Sequence, residues 1–336
     1  MILAGDVGGT TTRLAAYEVS GGGKLRAVVE QEYKGADYTG LDDIVAHFVA
    51  AHALHPTHAC CGISGPVHEG SAKPTNLPWT IRAESLARQL HLPAFLLIND
   101  LEATAWGVAA LEASDVETLN TGEAGARGNA AVIAAGTGLG EAGLFWDGAH
   151  HRPFACEGGH ADFAPRSALE IEMLQYLSAR HGRVSYERVV SGQGLCNIYE
   201  FLCQTPGRKE VPAVAESMRG QDLAAAISQA ALERRSPLCV EALDMLVSIY
   251  GAEAGNLALK IMAYGGLYVG GGIAPKIITK LRDGTFMRAY VAKGRMQRVV
   301  EAMPVHVIMN PNTALLGAAR CASRHIWSGH GTTKTQ

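Results

Sequence analysis

Apolar positions along the chain fall into short runs cut by glycine-rich bends, alternating with stretches of helical period. The opening residues, MILAGDVGGTTTRLAAYEV, show the first kind: an apolar run over 2–4, then Gly5-Asp6-Val7-Gly8-Gly9-Thr10, then a mixed run over 14–19. No capping box opens a helix after the glycines. The stretch reads as strand, glycine turn, strand, with the Asp6 carboxylate and three threonines (Thr10, Thr11, Thr12) at the bend. A turn at Gly21-Gly22-Gly23 and a third strand over 28–33 follow. Residues 40–54 place Leu41, Ile44, Val45, Phe48 and Val49 at helical spacing. Then come a buried strand over 59–63, loops at 64–66 and 76–79, and a helix over 83–90. An apolar strand over 94–98 has Asn99-Asp100 at its C-terminal end, and a helix over 101–111 runs on from there.

The polar segment 120–129 (NTGEAGARGN) is the candidate domain boundary. Directly after it the opening pattern returns: an apolar run over 130–135, Gly136-Thr137-Gly138-Leu139-Gly140, and a second run over 142–146. Two such hairpins imply an internal duplication, two similar α/β domains facing each other with a hairpin from each for a nucleotide. Beyond it, residues 156–162 gather Cys156, Glu157, His160 and Asp162 in a glycine-rich loop. Ser167 and Glu170 form a capping box for a helix ending near Gly182. Helices are expected over 185–190, carrying Glu187, and over 192–203, then an exposed connection over 205–220. A helix over 222–234 precedes one with Ser236 as N-cap and Pro237 at its first position. A strand over 267–269 leads through Gly270-Gly271-Gly272 into a helix over 276–281. A strand over 305–309, a helix over 313–323 and a disordered polar tail from Ser328 complete the chain.

At 336 residues with 48% hydrophobic and 18% charged content, the chain has room for two domains, each with its own core. A net charge of −3 argues against a nucleic-acid surface. Glu141, Glu253 and Lys260 interrupt the longest apolar stretches, so no membrane span is expected. With no signal peptide legible before the first strand, a cytoplasmic protein is expected. Seven cysteines without C-x-x-C spacing fit reduced thiols rather than disulfides or a zinc site. His47, His52, His55 and His58 do not share one helical face, and Pro56 breaks the segment, so they read as solvated.

Chemistry concentrates at the bends. Glycines let backbone N–H groups approach an anion, and threonines add hydroxyl donors, so the first bend suits phosphate. It is no Walker loop, since no Gly-Lys-Ser/Thr follows, and no Rossmann fingerprint, since no helix follows. Asp6 beside a phosphate cradle makes sense with Mg²⁺ between them. Asn99-Asp100 lies where α/β proteins bind ligands, beyond the carboxyl end of a strand; the same residues also suit capping of the next helix. The Gly270–272 junction suits an adenosine or phosphate against exposed backbone.

In order, Asp6-Val7-Gly8-Gly9-Thr10, Ile98-Asn99-Asp100, Gly136-Thr137-Gly138-Leu139-Gly140, the run EGGHADFAP from Glu157, and Gly270-Gly271-Gly272-Ile273 resemble the motifs of the bacterial glucokinases, in the hexokinase-like group of the actin-like sugar kinases. The EGGHADFAP run is the most specific of these, and the resemblance extends from residue 5 to about residue 320. It implies two actin-like, ribonuclease-H-like α/β domains flanking a deep cleft: a small one over 1–110 plus 312–336 and a large one over 111–311. It also implies glucose gripped by Asn99, Asp100, Glu157, His160 and Glu187. ATP would be held by Gly5 to Thr10, Gly136, Thr137, Gly138 and Gly270, Gly271, Gly272, and Mg²⁺ by Asp6 through water. A cytoplasmic homodimer is the family expectation. Many relatives carry Asn where this chain has Thr11, which also donates to phosphate. The zinc-binding cysteine cluster of the related repressors and sugar kinases is missing, since the next cysteine after His160 is Cys196.

Phosphoryl transfer to a sugar hydroxyl needs positioning, a metal and a base. Asp100 is the expected base on the 6-hydroxyl. Closing the site only with sugar bound keeps water from taking the phosphoryl group. The rival readings are a kinase for another hexose or an N-acyl amino sugar, and a sugar-sensing regulator without catalysis. The regulator needs a DNA-binding segment, and the net charge speaks against one.

Overall fold

The opening stretch folds as an antiparallel hairpin of β1 (Ile2–Val7) and β2 (Thr11–Val19) in the computed structural model, which describes residues 1–20, 24–74 and 77–328. The expected turn at 21–23, Asn76 of the expected loop and the tail beyond Ser328 lie outside the described residues. The strands run further into the bend than the sequence pattern implies. β1 pairs on its other edge in parallel with β4 (His58–Ile63), and that ladder carries it through Gly5, Asp6 and Val7. Only Gly8, Gly9 and Thr10 remain as the bend.

The chain divides into two compact units, residues 1–113 with the chain from Asn310 onward, and Ser114–Met309. In the first unit β3 (Leu25–Lys34) and β8 (Phe95–Asn99) complete a sheet of order β3-β2-β1-β4-β8. β5 (Val67–His68), β6 (Ser71–Ala72) and β7 (Ile81–Arg82) form a small side sheet. A central strand buried on both faces needs apolar residues at successive positions, which is why β1 reads as a run rather than an alternation. Leu3 and Val7 face the helices Leu41–Ala51 and Ala83–Gln89. Ile2 and Ala4 face the helices Asp100–Val108 and Thr313–Ser328. Those last two helices nearly touch backbone to backbone. A Cβ on Gly317 would overlap the Ala103 carbonyl and lie 2.6 Å from the Gly107 nitrogen.

In the second unit β9 (Val116–Asn120), β10 (Ala130–Ala135), β11 (Leu139–Trp146), β12 (His151–Cys156), β13 (Leu267–Gly270) and β14 (Val305–Ile308) form a sheet of order β12-β11-β10-β13-β14-β9. β12-β11-β10 is an antiparallel meander continued by parallel β13 and β14. β3-β2-β1 continues in the same way into β4 and β8. The duplication implied by the two hairpins therefore extends to five strands in each unit. Ala131, Ile133, Ala135, Leu267, Val269, Val305 and Val307 supply the strand side of one large core, which the helices Gly192–Gln204, Leu223–Leu232 and Pro237–Ile261 cover.

Several expectations are corrected. The segment 120–129 is not the boundary, because β9 before it pairs antiparallel with β14 and belongs to the second unit. The exposed connection over 205–220 contains a helix, Pro212–Ser217, with Val214 and the following Met218 buried. The expected helix over 185–190 is a single 3₁₀ turn, Tyr186–Arg188. The expected caps hold, the side chains of Ser167 and Ser236 each accepting a backbone N–H at the start of a helix, and Asp222 caps its helix in the same way. Among the described residues no helix is long and apolar enough to cross a membrane.

Candidate active site

In the first unit the bend is closed by Gly8 N–H donating to the Thr11 carbonyl at 2.9 Å, and Gly35 N–H holds the Thr10 carbonyl at 2.8 Å. Thr10 is exposed with its hydroxyl 3.3 Å from that of Thr11. Thr12, by contrast, is fully buried in β2. Asp6 and Arg13 are register partners across the hairpin, and Arg13 Nη2 donates to Asp6 Oδ2 at 2.6 Å. Arg13 reaches further, to the Pro311 carbonyl at 3.0 Å and Asn312 Oδ1 at 2.9 Å. It thereby ties the hairpin to the turn before the last helix. Nothing in the sequence pattern singled out Arg13, since its role depends on a partner some three hundred residues away.

Asn99 ends β8 and caps the helix Asp100–Val108, its Oδ1 accepting from Leu101 N–H at 2.8 Å. Its Nδ2 donates to the Gly65 carbonyl at 3.2 Å. The capping alternative is thus realised at Asn99. Asp100 takes the first helical position, where the unpaired N–H groups of the turn favour negative charge, and its Oδ1 accepts from Leu101 N–H at 2.9 Å.

In the second unit the matching bend closes through Gly136 N–H to the Gly138 carbonyl at 2.8 Å, and Gly192 N–H holds the Gly136 carbonyl at 2.9 Å. Glu187 is pinned against this bend, Oε2 accepting from Leu139 N–H at 3.0 Å. Gly138 makes room for it: a Cβ there would overlap Oε2 and lie 3.2 Å from Cδ. Glu157 and His160 bracket a short 3₁₀ turn, Gly158–His160, closed by His160 N–H to the Glu157 carbonyl at 3.0 Å. Both side chains are exposed. Arg183 fastens the turn from outside through the His160 carbonyl and Asp162, each at 2.6 Å. The structure therefore packs the Glu157–His160 turn, Glu187 and the Gly136–Gly138 bend around the start of β11.

Thr137, Gly136 and Gly192 also line a cavity of about 1070 Å³ whose opposite wall includes Gly272, Ile273 and Lys276. Leu195, Leu223, Leu243 and Leu246 give it apolar surface, and Gln193, Asp222, Ser228 and Gln229 give it polar groups. An apolar slot with a few polar groups is the usual form of a small-ligand pocket. The sequence reading missed its helix-borne lining, because residues scattered over 193–246 carry no local motif. Gly271 has φ +81°, and a Cβ there would overlap the Ala135 carbonyl, so the junction requires glycine. Gly5, Val7 and Gly270 are buried within strands, their backbones engaged in ladders. Of the last glycine triplet, Gly272 is the one that lines the cavity.

A meander-plus-parallel sheet present twice, with a glycine-threonine bend beside the central strand of each copy, is the fold of the actin-like sugar kinases. Comparison with known proteins places the chain within that class. The glucokinase family model matches residues 3–325. Glucokinase of Trichormus variabilis is 43% identical over 339 residues, covering 96% of this chain and 99% of the relative. Among solved structures, a glucokinase from an Antarctic psychrotroph is 28% identical with a TM-score of 0.84, covering 96% of this chain and 98% of its own. A Balamuthia mandrillaris glucokinase in complex with glucose, 22% identical with a TM-score of 0.77 over 96% and 93% of the two chains, shares the fold. The chain belongs to the glucokinase family, and with it to the phosphoryl-transferring enzymes.

Proposed function

We propose that the chain transfers the γ-phosphoryl group of ATP to the 6-hydroxyl of D-glucose, with Asp100 as general base. The observation that carries the reading is the place of Asp100, at the carboxyl end of β8 and the first position of a helix. A carboxylate there, oriented by the Leu101 N–H, is able to accept the hydroxyl proton as the bond to phosphorus forms. Asn99, Glu157, His160 and Glu187 read the sugar hydroxyls; Asn99 retains a second amide N–H beyond the one given to Gly65. A sugar lacking a matched hydroxyl leaves such a group unpaired, at a cost of about 1–3 kcal/mol each.

ATP lies in the 1070 Å³ cavity, with Thr137 and the N–H groups of the Gly136–Gly138 bend donating to phosphate oxygens. Gly8, Gly9 and Thr10 form a bend of the same chemistry, suited to phosphate oxygens. Asp6 is the residue that fits Mg²⁺. Oδ2 is held by Arg13, and among the described residues no group of three His, Cys, Asp or Glu side chains gathers around a metal position. A single carboxylate suits an ion that keeps most of its waters and takes the rest of its shell from phosphates. When bound, Mg²⁺ neutralises charge on the phosphates. The same reading makes the protein a cytoplasmic homodimer of glycolysis, which light scattering checks for assembly.

The test is ATP-dependent phosphorylation across glucose, mannose, fructose, N-acetylglucosamine and N-acetylmannosamine, beside Asp100→Asn. Glucose is expected to dominate kcat/KM, with the variant reduced by about 10²–10⁴ in kcat while still binding sugar. An N-acetyl sugar in first place refutes the sugar assignment. An active Asp100→Asn variant refutes the base.

A further inference from the structure

The sugar-reading turn rests on a carboxyl group that the mechanism above does not use. Glu141 is the third residue of β11 and the register partner of Cys156, which directly precedes Glu157. It is 1% exposed, and its Oε1 is buried without a hydrogen-bond partner. Its other oxygen lies directly beneath the turn, where a Cβ on Gly158 would overlap Oε2 and come within 2.6 Å of Cδ. A Cβ on Gly159 would likewise meet the backbone of Leu139, 2.7 Å from its carbonyl carbon. The turn carrying Glu157 and His160 thus sits flush on Leu139–Gly140–Glu141, with no room for a water or a side chain between.

The groups facing Glu141 determine which form fits there. From the helix Pro237–Ile261 come Glu253, fully buried, with Lys260 and Tyr250; from the β12 side come Cys156 and the exposed Glu157 beyond it. Glu253 has both oxygens engaged, Oε1 by Lys260 at 3.2 Å and Oε2 by Asn256 at 2.8 Å. Among the described residues Glu141 has no ion pair of its own. Burial first, then the Glu253 carboxylate, push its carboxyl up to about 7, with Lys260 pulling the other way. The neutral acid suits a dry contact beneath glycine backbone. The anion calls for water that the flush contact excludes.

We propose that Glu141 is a positioning residue for sugar binding: a neutral carboxyl prop that holds the Glu157–His160 turn against β11, and that releases it on losing its proton. The proposal rests on the assignment of Glu157 and His160 to the sugar. The titration moves one proton between the carboxyl and solvent. If only the propped form binds well, KM for sugar varies inversely with the neutral fraction and rises about tenfold from pH 6 to pH 8, with kcat changing less.

The test compares wild type with Glu141→Gln, which is neutral at every pH and nearly isosteric. It has two readouts. The first is KM and kcat for glucose from pH 6 to 8.5. The second, taken without sugar, is the amide-exchange protection of Ala161, whose N–H donates to the Gly158 carbonyl at 2.8 Å. Wild type is expected to lose affinity and protection as pH rises, and Glu141→Gln to keep both within about twofold. The two proteins differ only at position 141, so a difference between their pH profiles belongs to that residue. Coincident pH profiles in the two proteins overturn the prop even where glucose is phosphorylated. Protection that falls only in wild type, in a protein that phosphorylates no sugar, keeps the prop and overturns the function. Should Glu141→Gln fail to fold, Lys260→Gln serves, since it removes the charge that opposes protonation. The wild-type midpoint must then move to higher pH, and an unmoved midpoint overturns the proposal.

Discussion

Gly138→Ala separates a steric role from a catalytic one at the second bend. The new methyl group would overlap Oε2 of Glu187, the oxygen that accepts from Leu139 N–H at 3.0 Å. To restore ordinary contact the carboxylate has to retreat by about 1 Å, which stretches that hydrogen bond beyond useful length. The obstacle is the far end of a half-exposed side chain rather than backbone, so Glu187 swings aside and folding stability falls by only about 1 kcal/mol. A charge-assisted hydrogen bond contributes about 1.5–3 kcal/mol, and partial exposure lowers that here to about 1–2. Re-aiming Glu187 by that amount is expected to cut kcat/KM for sugar by about 5- to 30-fold, mostly through KM. Gly40→Ala is the control, because a Cβ there comes no nearer than 4.0 Å to its surroundings and the residue lies outside the site. Sugar kinetics and urea unfolding of the two variants decide the matter. A Gly138→Ala enzyme with wild-type sugar KM refutes the assignment of Glu187, and a stability loss above about 3 kcal/mol refutes the claim that Glu187 is free to move.

Three further outcomes are expected. Because the Glu141 carboxyl is raised from 4.5 to about 7 in the folded protein, its folded state holds the proton longer. Stability is then lost as pH rises from about 4.5 to 7, and Glu141→Gln should exceed wild type by up to about 3 kcal/mol at pH 8 while matching it near pH 4, as urea unfolding at both pH values will show. Gly317→Ala drives a methyl group into helix backbone at Ala103 and Gly107, which cannot yield as a side chain does, and is expected to destabilise by about 1–3 kcal/mol in chemical denaturation. Arg13→Met leaves the Asp6 carboxylate, 20% exposed, without its cation and cuts the ties to Pro311 and Asn312. It should cost about 1–3 kcal/mol and lower amide protection in the helix Thr313–Ser328.

The repeated hairpin was legible because strand, glycine bend and strand is a local pattern, and the duplicated sheet order follows from it. Helices with caps were equally legible, as at Ser167 and Ser236, where one side chain accepts one nearby N–H. β9 and β12 escaped because neither makes an apolar run: β9 reads Val-Glu-Thr-Leu-Asn and β12 His-Arg-Pro-Phe-Ala-Cys, each at one edge of its sheet and half open to solvent. The site divides along the same line. Asn99, Asp100, Glu157 and His160 stand in short motifs. Arg13 and Glu141 act through partners distant in the chain, and Glu141 registered in the sequence only as an interruption of an apolar stretch. Thr12 and Val7, drawn in by their neighbours in the bend, are core residues.

The first unit is discontinuous in sequence, closed by a helix that follows the second unit, and this governs how the protein emerges from the ribosome. Ser114–Met309 is one unbroken segment and has all its strands in hand once Ile308 is made. The sheet of residues 1–113 lacks Leu315, Ala318, Ala319 and Ala322 against Ile2, Ala4 and Tyr17 until the segment after Met309 is made. The segment 1–113, translated before the second unit, therefore completes its folding after it, and it waits with one apolar face uncovered while the second unit matures. Pulse proteolysis of chains stalled after Met309 is expected to cleave within residues 1–113 while sparing 114–309; equal resistance of both segments would show that the early sheet folds without its final helix.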